Sequence, residues 1–217
     1  MTVVYACDVG SVKSGTFAWA KTDSLTRAPF ASTRIDELVE SIVCDVRRGA
    51  SIALGFEAPL FLPVPERSDG LNTGRPGETN RSMFAQAGAA VATVAVQEAA
   101  WVLNQLRRQL TDDVKVTTDW KSDWRVAHSI LLWEAFVSST AHSESHLRDA
   151  ATAVHEFLAV SEYLDEANAV TCERPLSLIA AAALWAGWWT DLSRLRLPCL
   201  VLRPSEAYSG EIDSQNS

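Results

Sequence analysis

The chain opens with a short apolar run that ends in a single carboxylate. Residues 3–7 are Val-Val-Tyr-Ala-Cys, Asp8 follows, and Val-Gly-Ser comes next. A β-branched run closed by an acid and a glycine predicts a buried strand that carries Asp8 to the rim of a sheet. A second run at residues 14–20 predicts a hairpin with Asp8 beside its turn. Because a buried carboxylate needs a compensating partner, Asp8 is the first candidate for a functional site, and a metal ion is one candidate partner.

The composition is that of an ordinary soluble protein. A chain of 217 residues with 47% hydrophobic residues is long enough for one full core or at most two small ones. The most apolar stretch, Leu176 to Trp189, is shorter than the roughly 20 residues of a membrane span and predicts a buried helix. No leader is recognised before the first strand, so a cytoplasmic location is expected.

The net charge and the cysteine pattern limit the kinds of protein that this chain can be. The four cysteines are scattered without a CxxC pair, which favours reduced thiols in a cytoplasmic core over a zinc site or a disulfide frame. The net charge of −8 argues against a broad nucleic-acid-binding surface. A local basic channel stays compatible with it.

Hydrophobic periodicity predicts a mixed α/β fold. The predicted helices cover residues 34–48, capped by Thr33 and ended by Gly49, then 82–110, 146–165 and 175–190, the last opened by Pro175. Further strands are predicted within residues 25–31, 51–56, 115–118, 129–137 and 198–203. Residues 60–81 form a polar loop of a length that is usually functional or mobile. We expect one domain over residues 1–208 and a disordered tail over residues 209–217.

Acidic residues recur where these elements begin or end. Glu57 closes the strand at 51–56, Asp149 lies at the start of a helix, and Glu134 lies in the second half of the strand at 129–137. Neighbouring strand ends meet at one edge of a sheet, where α/β sites usually lie. Clustered carboxylates repel one another, and hard divalent cations relieve that repulsion. Two such ions about 4 Å apart can activate a water and stabilise the leaving oxygen of a phosphodiester.

Three short motifs in this order resemble the ribonuclease-H-like superfamily, in particular its RuvC-type resolvase branch and related nucleases. They are Ala-Cys-Asp-Val-Gly-Ser at 6–11 with Gly-Thr-Phe-Ala at 15–18, Gly-Phe-Glu-Ala-Pro at 55–59, and an HxxDAxxA pattern at 146–153. The resemblance implies a ribonuclease-H-like mixed sheet with an N-terminal antiparallel hairpin and helices on both faces. It also implies two Mg²⁺ or Mn²⁺ ions bound by Asp8, Glu57, His146 and Asp149. Glu134 has no counterpart in that branch and is an additional candidate ligand only through its place in the second half of its strand.

Each of these residues also has a structural interpretation. Asp8 can cap its turn, and Glu57 can pair with an arginine such as Arg81. Asp149 suits the first turn of any helix, because the helix dipole favours an acid there. His146 can be a surface residue, and Glu134 can pair with a neighbouring base. The tryptophans are more readily explained by core packing than by base stacking.

Basic residues near the predicted site are candidates for phosphate contacts. Lys13 follows Asp8, and Arg75 and Arg81 lie in and at the end of the polar loop. Such groups can hold phosphates beside metal ions. A solvated flexible loop explains them equally well.

The sequence is compatible with three functions. The leading hypothesis is a metal-dependent nuclease with nucleic acid as its partner; no membrane partner is expected, and a homodimer is one open option. The second is a nucleotide-binding module of the actin-like type, whose first hairpin also reads Asp-x-Gly-Ser/Thr, although no later DxGxG occurs here. The third is a catalytically inactive ribonuclease-H-like scaffold domain.

Overall fold

A computed structural model describes residues 1–78, 86–137 and 141–214, with only the backbone of Gln86 and Ala87. The strands are β1 (Thr2–Asp8), β2 (Ala18–Thr22), β3 (Phe30–Ser32), β4 (Ser51–Glu57), β5 (Phe61–Pro63), β6 (Lys115–Thr117), β7 (Ser129–Ala135), β8 (Pro175–Ser177), β9 (Leu200–Leu202) and β10 (Asp213–Ser214). The helices are α1 (Ile35–Arg47), α2 (Gln86–Gln109), α3 (His146–Ala159), α4 (Leu164–Ala167) and α5 (Leu178–Trp185).

The centre of the fold is a mixed sheet of eight strands. Its order is β10-β3-β2-β1-β4-β7-β6, and β9 also pairs with β7. Strands β1, β4, β7, β6 and β9 run parallel, whereas β2 is antiparallel to both β1 and β3. Strands β5 and β8 form a separate two-stranded sheet. The predicted mixed α/β class and the antiparallel first hairpin are therefore confirmed.

Side chains of the central strands alternate between two cores, one on each face of the sheet. In β1, Val3, Tyr5 and Cys7 join a core that also contains residues of α1, α2 and α5. The intervening Val4 and Ala6 join a second core that contains residues of α3. The helices therefore flank the sheet on both sides, and we call these two sides the α2 face and the α3 face.

Small side chains let α3 approach the sheet closely. Ala6 in β1 and Ala53 in β4 belong to the core of the α3 face. Gly55, also in β4, has no room for a Cβ atom, because the indole of Trp133 occupies that position. The glycine before Phe56 and Glu57 is thus a packing requirement of the neighbouring strand β7.

The chain ends and helix starts differ from the sequence prediction in three places. Helix α5 begins at Leu178, because residues 175–177 pair with β5 as a strand and the Ser177 hydroxyl accepts a hydrogen bond from the Ala180 N–H. Thr33 does not cap α1; the Ser32 hydroxyl accepts from the Arg34 N–H at 3.2 Å instead. Residues of the predicted disordered tail form β10, which pairs with β3.

Other boundaries also differ. The third strand covers only Phe30–Ser32, at the end of the predicted region, and β5 lies inside the segment predicted as a polar loop. Helix α3 ends at Ala159, and the short α4 follows it, where one helix to residue 165 was predicted. The predicted start of the second helix at residues 82–85 lies outside the described residues. All four cysteines are free thiols. Within residues 1–78, 86–137 and 141–214, no helix combines the length and apolar character that crossing a bilayer requires.

Candidate metal centre

Two adjacent parallel strands carry the first two acids to the same edge of the sheet. Asp8 is the last residue of β1, and Glu57 is the last residue of β4. The register pairs Cys7 with Phe56, so the next residue on each strand lies at the same level. Because side chains alternate along a strand, both acids share the α3 face with Ala6 and Gly55.

Helix α3 adds the third acid over this edge. The helix begins at His146, packs against β1 and β2, and carries Asp149 in its first turn with only 1% of that residue exposed. One carboxylate oxygen from each of Asp8, Glu57 and Asp149 lies within 4.8 Å of the other two. The three acids predicted from the sequence therefore meet, and we call them the acidic triad.

Two histidines flank the triad. His146 Nδ1 lies 2.6 Å from Asp8 Oδ2, and His142 Nδ1 lies 2.6 Å from Asp149 Oδ2. The Ser143 N–H donates a hydrogen bond to the other oxygen of Asp149 at 2.8 Å. Both imidazoles are about half exposed, so they border the buried acids on the solvent side. His142 was not predicted, and its only signal in the sequence is its place four residues before His146.

Burial is the largest influence on the ionisation of Asp8. It raises the pKa of Asp8 to about 6, and the negative charge of Asp149 adds to that rise. The hydrogen bond and charge of His146 act in the opposite direction but are outweighed. The site therefore favours added positive charge, which a divalent cation bound by hard oxygen ligands would provide.

A fourth acid, Glu98 on α2, lies within the electrostatic influence of Asp8 and was not predicted. It is 7% exposed, and it accepts a hydrogen bond from the backbone N–H of Gly10. Burial raises the pKa of Glu98 to about 8, the Gly10 bond opposes this, and the charge of Asp8 raises it further. No motif indicated Glu98, because it lies in the middle of a helix among mostly apolar residues.

The prediction of Glu134 as a metal ligand is not supported by its position. Its register partner is Phe56, so its side chain lies on the α2 face, opposite to Asp8 and Glu57. Its two oxygens accept hydrogen bonds from Arg75 at 2.5 and 2.7 Å, and one of them also accepts from the Leu60 N–H. Glu134 is therefore the partner of a basic residue, Arg75, as the structural interpretation of the sequence allowed.

Arg75 is likewise buried in the interior, away from the exposed surface of the site. The whole residue is 2% exposed, and its guanidinium also contacts Glu78 and stacks on Phe61. Burial lowers the pKa of Arg75, but Glu134 and Glu78 outweigh burial and raise it above its ordinary value. Since its hydrogen-bond donors face these partners, the prediction that Arg75 binds substrate is corrected to a structural role.

The structure does not decide whether the other two basic candidates, Lys13 and Arg81, bind phosphate. Lys13 is exposed in the turn between β1 and β2, which follows Asp8, so a phosphate contact there stays a prediction. Arg81 lies outside the described residues, and so does its predicted pairing with Glu57.

No protein-family model, curated protein or solved structure matches this chain. The function is therefore inferred from the chemistry of the site. A buried group of three carboxylates with flanking imidazoles has the donor set of a divalent-cation site, since carboxylate oxygens suit Mg²⁺ and Mn²⁺.

The metal-free protein is expected to lose stability as the pH rises toward 8. Asp8 and Glu98 have pKa values of about 6 and about 8 in the folded chain, both above their ordinary values. The folded state therefore binds more protons than the unfolded state in this range, and the free energy of unfolding falls as pH rises. The protons that Asp8 and Glu98 retain in the folded state contribute their full stabilisation below a pH of about 4. This contribution is lost as the pH rises through the folded pKa of each acid.

Thermal melts in a chelating buffer between about pH 5 and pH 8 measure this dependence. The Asp8→Asn variant serves as the control, because it removes the part of the slope that Asp8 contributes. A melting temperature that stays constant or rises over the range would contradict the prediction.

Proposed function

We propose that this chain is a divalent-metal-dependent nuclease that hydrolyses phosphodiester bonds of DNA or RNA at a two-cation carboxylate site. The observation that carries the proposal is the meeting of Asp8, Glu57 and Asp149 within 4.8 Å. The mixed sheet supports it, because its antiparallel first hairpin followed by parallel strands is what a ribonuclease-H-like fold requires.

The protein's own part in this reaction is to hold oxygen ligands in place. A divalent cation bound by the triad would polarise the phosphate and lower the pKa of an attacking water. Asp8 lies level with Glu57 on the neighbouring strand and close to Asp149 on α3. Of the three acids it is therefore the one best placed to bind both proposed cations. The strand ends fix two of these carboxylates on rigid elements, which limits reorganisation during the reaction.

The histidines suit proton transfer at the open side of the site. Each uses Nδ1 toward an acid, which fixes the orientation of the ring. A half-exposed imidazole held in this way can pass a proton to the leaving oxygen or accept one from the attacking water. Lys13 on the neighbouring exposed turn is the candidate contact to a non-bridging phosphate oxygen.

The test is cation-dependent cleavage by the purified wild-type chain. Labelled single-stranded and duplex DNA, RNA, an RNA–DNA hybrid and a branched junction are incubated with Mg²⁺ or Mn²⁺, and with a chelator as the control. We expect at least one substrate to be cut only when the cation is present. The proposal fails if nothing is cut and calorimetry detects no binding of either ion.

Two other outcomes would favour the alternatives. Binding of Mn²⁺ without cleavage of any of these substrates would favour an inactive scaffold domain. A rise in melting temperature with ATP, but not with the cation alone, would favour a nucleotide-binding module.

A further inference from the structure

Glu98 carries a buried oxygen that no group in the described part of the chain satisfies. It lies on α2 between Ala95 and Ala99, which are both fully buried against the sheet. Its side chain accepts a hydrogen bond from the Gly10 N–H, while its Oε2 atom has no hydrogen-bond partner among the described residues. Native proteins rarely bury a carboxylate oxygen without a partner, and a bound ion is one of the few explanations for such an atom.

The turn that Glu98 contacts is the one that holds Asp8. Gly10 has no room for a Cβ atom, because the backbone carbonyl of Thr16 lies against it. The turn is closed by hydrogen bonds from the Thr16 N–H to the Ser11 carbonyl and from the Ser11 N–H to the Thr16 hydroxyl. The Gly10 N–H that interacts with Glu98 therefore belongs to a closed turn, two residues after Asp8.

Asp8 is thus approached by acids from two helices on opposite faces of the sheet. Asp149 comes from α3, and Glu98 comes from α2 and lies close enough for the charge of Asp8 to act on it. Repulsion between neighbouring acids disfavours their charged forms, and a cation that binds them relieves it. The protein supplies a base for Glu134, namely Arg75, whereas no ion pair joins Glu98 to a basic residue among those the structure describes.

We propose that Glu98 is a fourth carboxylate of the cation site and offers Oε2 on the side of Asp8 that faces α2. The inference rests on the proposed function, because it assumes that the acidic triad binds a divalent cation. The other oxygen of Glu98 keeps its bond to Gly10, so the same residue ties the position of the ion to the turn after β1.

The Glu98→Gln variant tests the proposal by Mn²⁺ binding, measured by calorimetry at a pH at which the wild type binds. Glutamine keeps the length of the side chain and a carbonyl oxygen for the Gly10 N–H, but it loses the charge. We expect the affinity for Mn²⁺ to fall by about 10- to 100-fold, or one of two bound ions to be lost. The stabilisation of the melting temperature by Mn²⁺ should shrink in parallel.

The matched control is Glu156→Gln on α3, where burial also raises the pKa of a glutamate but the side chain lies two helical turns beyond Asp149. It should bind Mn²⁺ as the wild type does. Circular dichroism and the melt in chelator establish that Glu98→Gln is folded. If that folded variant binds Mn²⁺ with wild-type affinity and stoichiometry, Glu98 is only a structural acceptor and the inference is wrong. If the wild type itself binds no Mn²⁺, the proposed function fails and the inference fails with it.

Discussion

Replacing Asp8 with asparagine is expected to remove cation-dependent cleavage, lowering its rate by about 10²- to 10³-fold. The amide would keep the shape of the side chain and an oxygen for His146, which lies 2.6 Å from the aspartate. It would lose the charge that the proposed cations need. Because Asp8 is buried with a raised pKa, the variant should melt no lower than the wild type in the absence of metal near neutral pH.

The control for this variant is Asp45→Asn, which changes another buried aspartate. Asp45 lies on α1, where it accepts a hydrogen bond from the Tyr5 hydroxyl at 2.6 Å and pairs with Lys21 at 3.1 Å. The control substitution should therefore lower the melting temperature but leave the cleavage rate of the folded protein unchanged. Cleavage is measured on whichever substrate the wild type cuts. An Asp8→Asn protein that cuts at the wild-type rate would overturn the assignment of Asp8.

Replacing Arg75 with methionine is expected to cost about 3–5 kcal/mol of unfolding free energy. Arg75 and Glu134 are both almost completely buried and form a two-pronged ion pair, with Glu78 as a second acceptor. Removing the guanidinium leaves these carboxylates uncompensated in the interior. Because Glu134 also accepts from the Leu60 N–H, the chain just after Glu57 should loosen as well. Urea unfolding followed by circular dichroism measures the loss.

Arg67→Met in the same loop is the control for Arg75. Arg67 also pairs with an acid, Asp69, but the two side chains are 84% and 69% exposed. An exposed pair of this kind contributes about 0–1 kcal/mol. The double variant Arg75→Met with Glu134→Gln should recover part of the loss, because it removes one buried charge. Equal stabilities of the Arg75 and Arg67 variants would show that the buried pair is not what holds the loop.

The elements that carry the acidic triad could be predicted from local sequence patterns. The run before Asp8 and the run before Glu57 each predict a strand that ends in an acid, and the HxxDAxxA pattern predicts a helix with Asp149 in its first turn. These features are local, because strand and helix periodicity depend on residues a few positions apart. The general rule that neighbouring strand ends share an edge was enough to predict that Asp8 and Glu57 meet. Placing Asp149 beside them depended on the resemblance of its motif to that of ribonuclease-H-like nucleases.

Glu134 shows where that rule is insufficient. It lies near the end of a parallel strand, as Glu57 does, yet its alignment with Phe56 directs it to the opposite face. A shift of one residue in register exchanges the two faces of a strand, and register is set by pairing between distant segments. The sequence pattern therefore could not separate a ligand from an ion-pair partner, and it equally left Arg75 as a candidate for phosphate.

Local patterns in the chain were enough to predict the mixed α/β class, the elements that bear Asp8, Glu57 and Asp149, and the excess of acid at their ends. Three arrangements emerged only from the folded chain: Arg75 pairs with Glu134, His142 joins His146 beside the triad, and Glu98 on α2 lies within the electrostatic influence of Asp8. These arrangements depend on strand register and helix packing. Both arise from the burial of apolar surface between residues far apart in the chain, and no short motif encodes them.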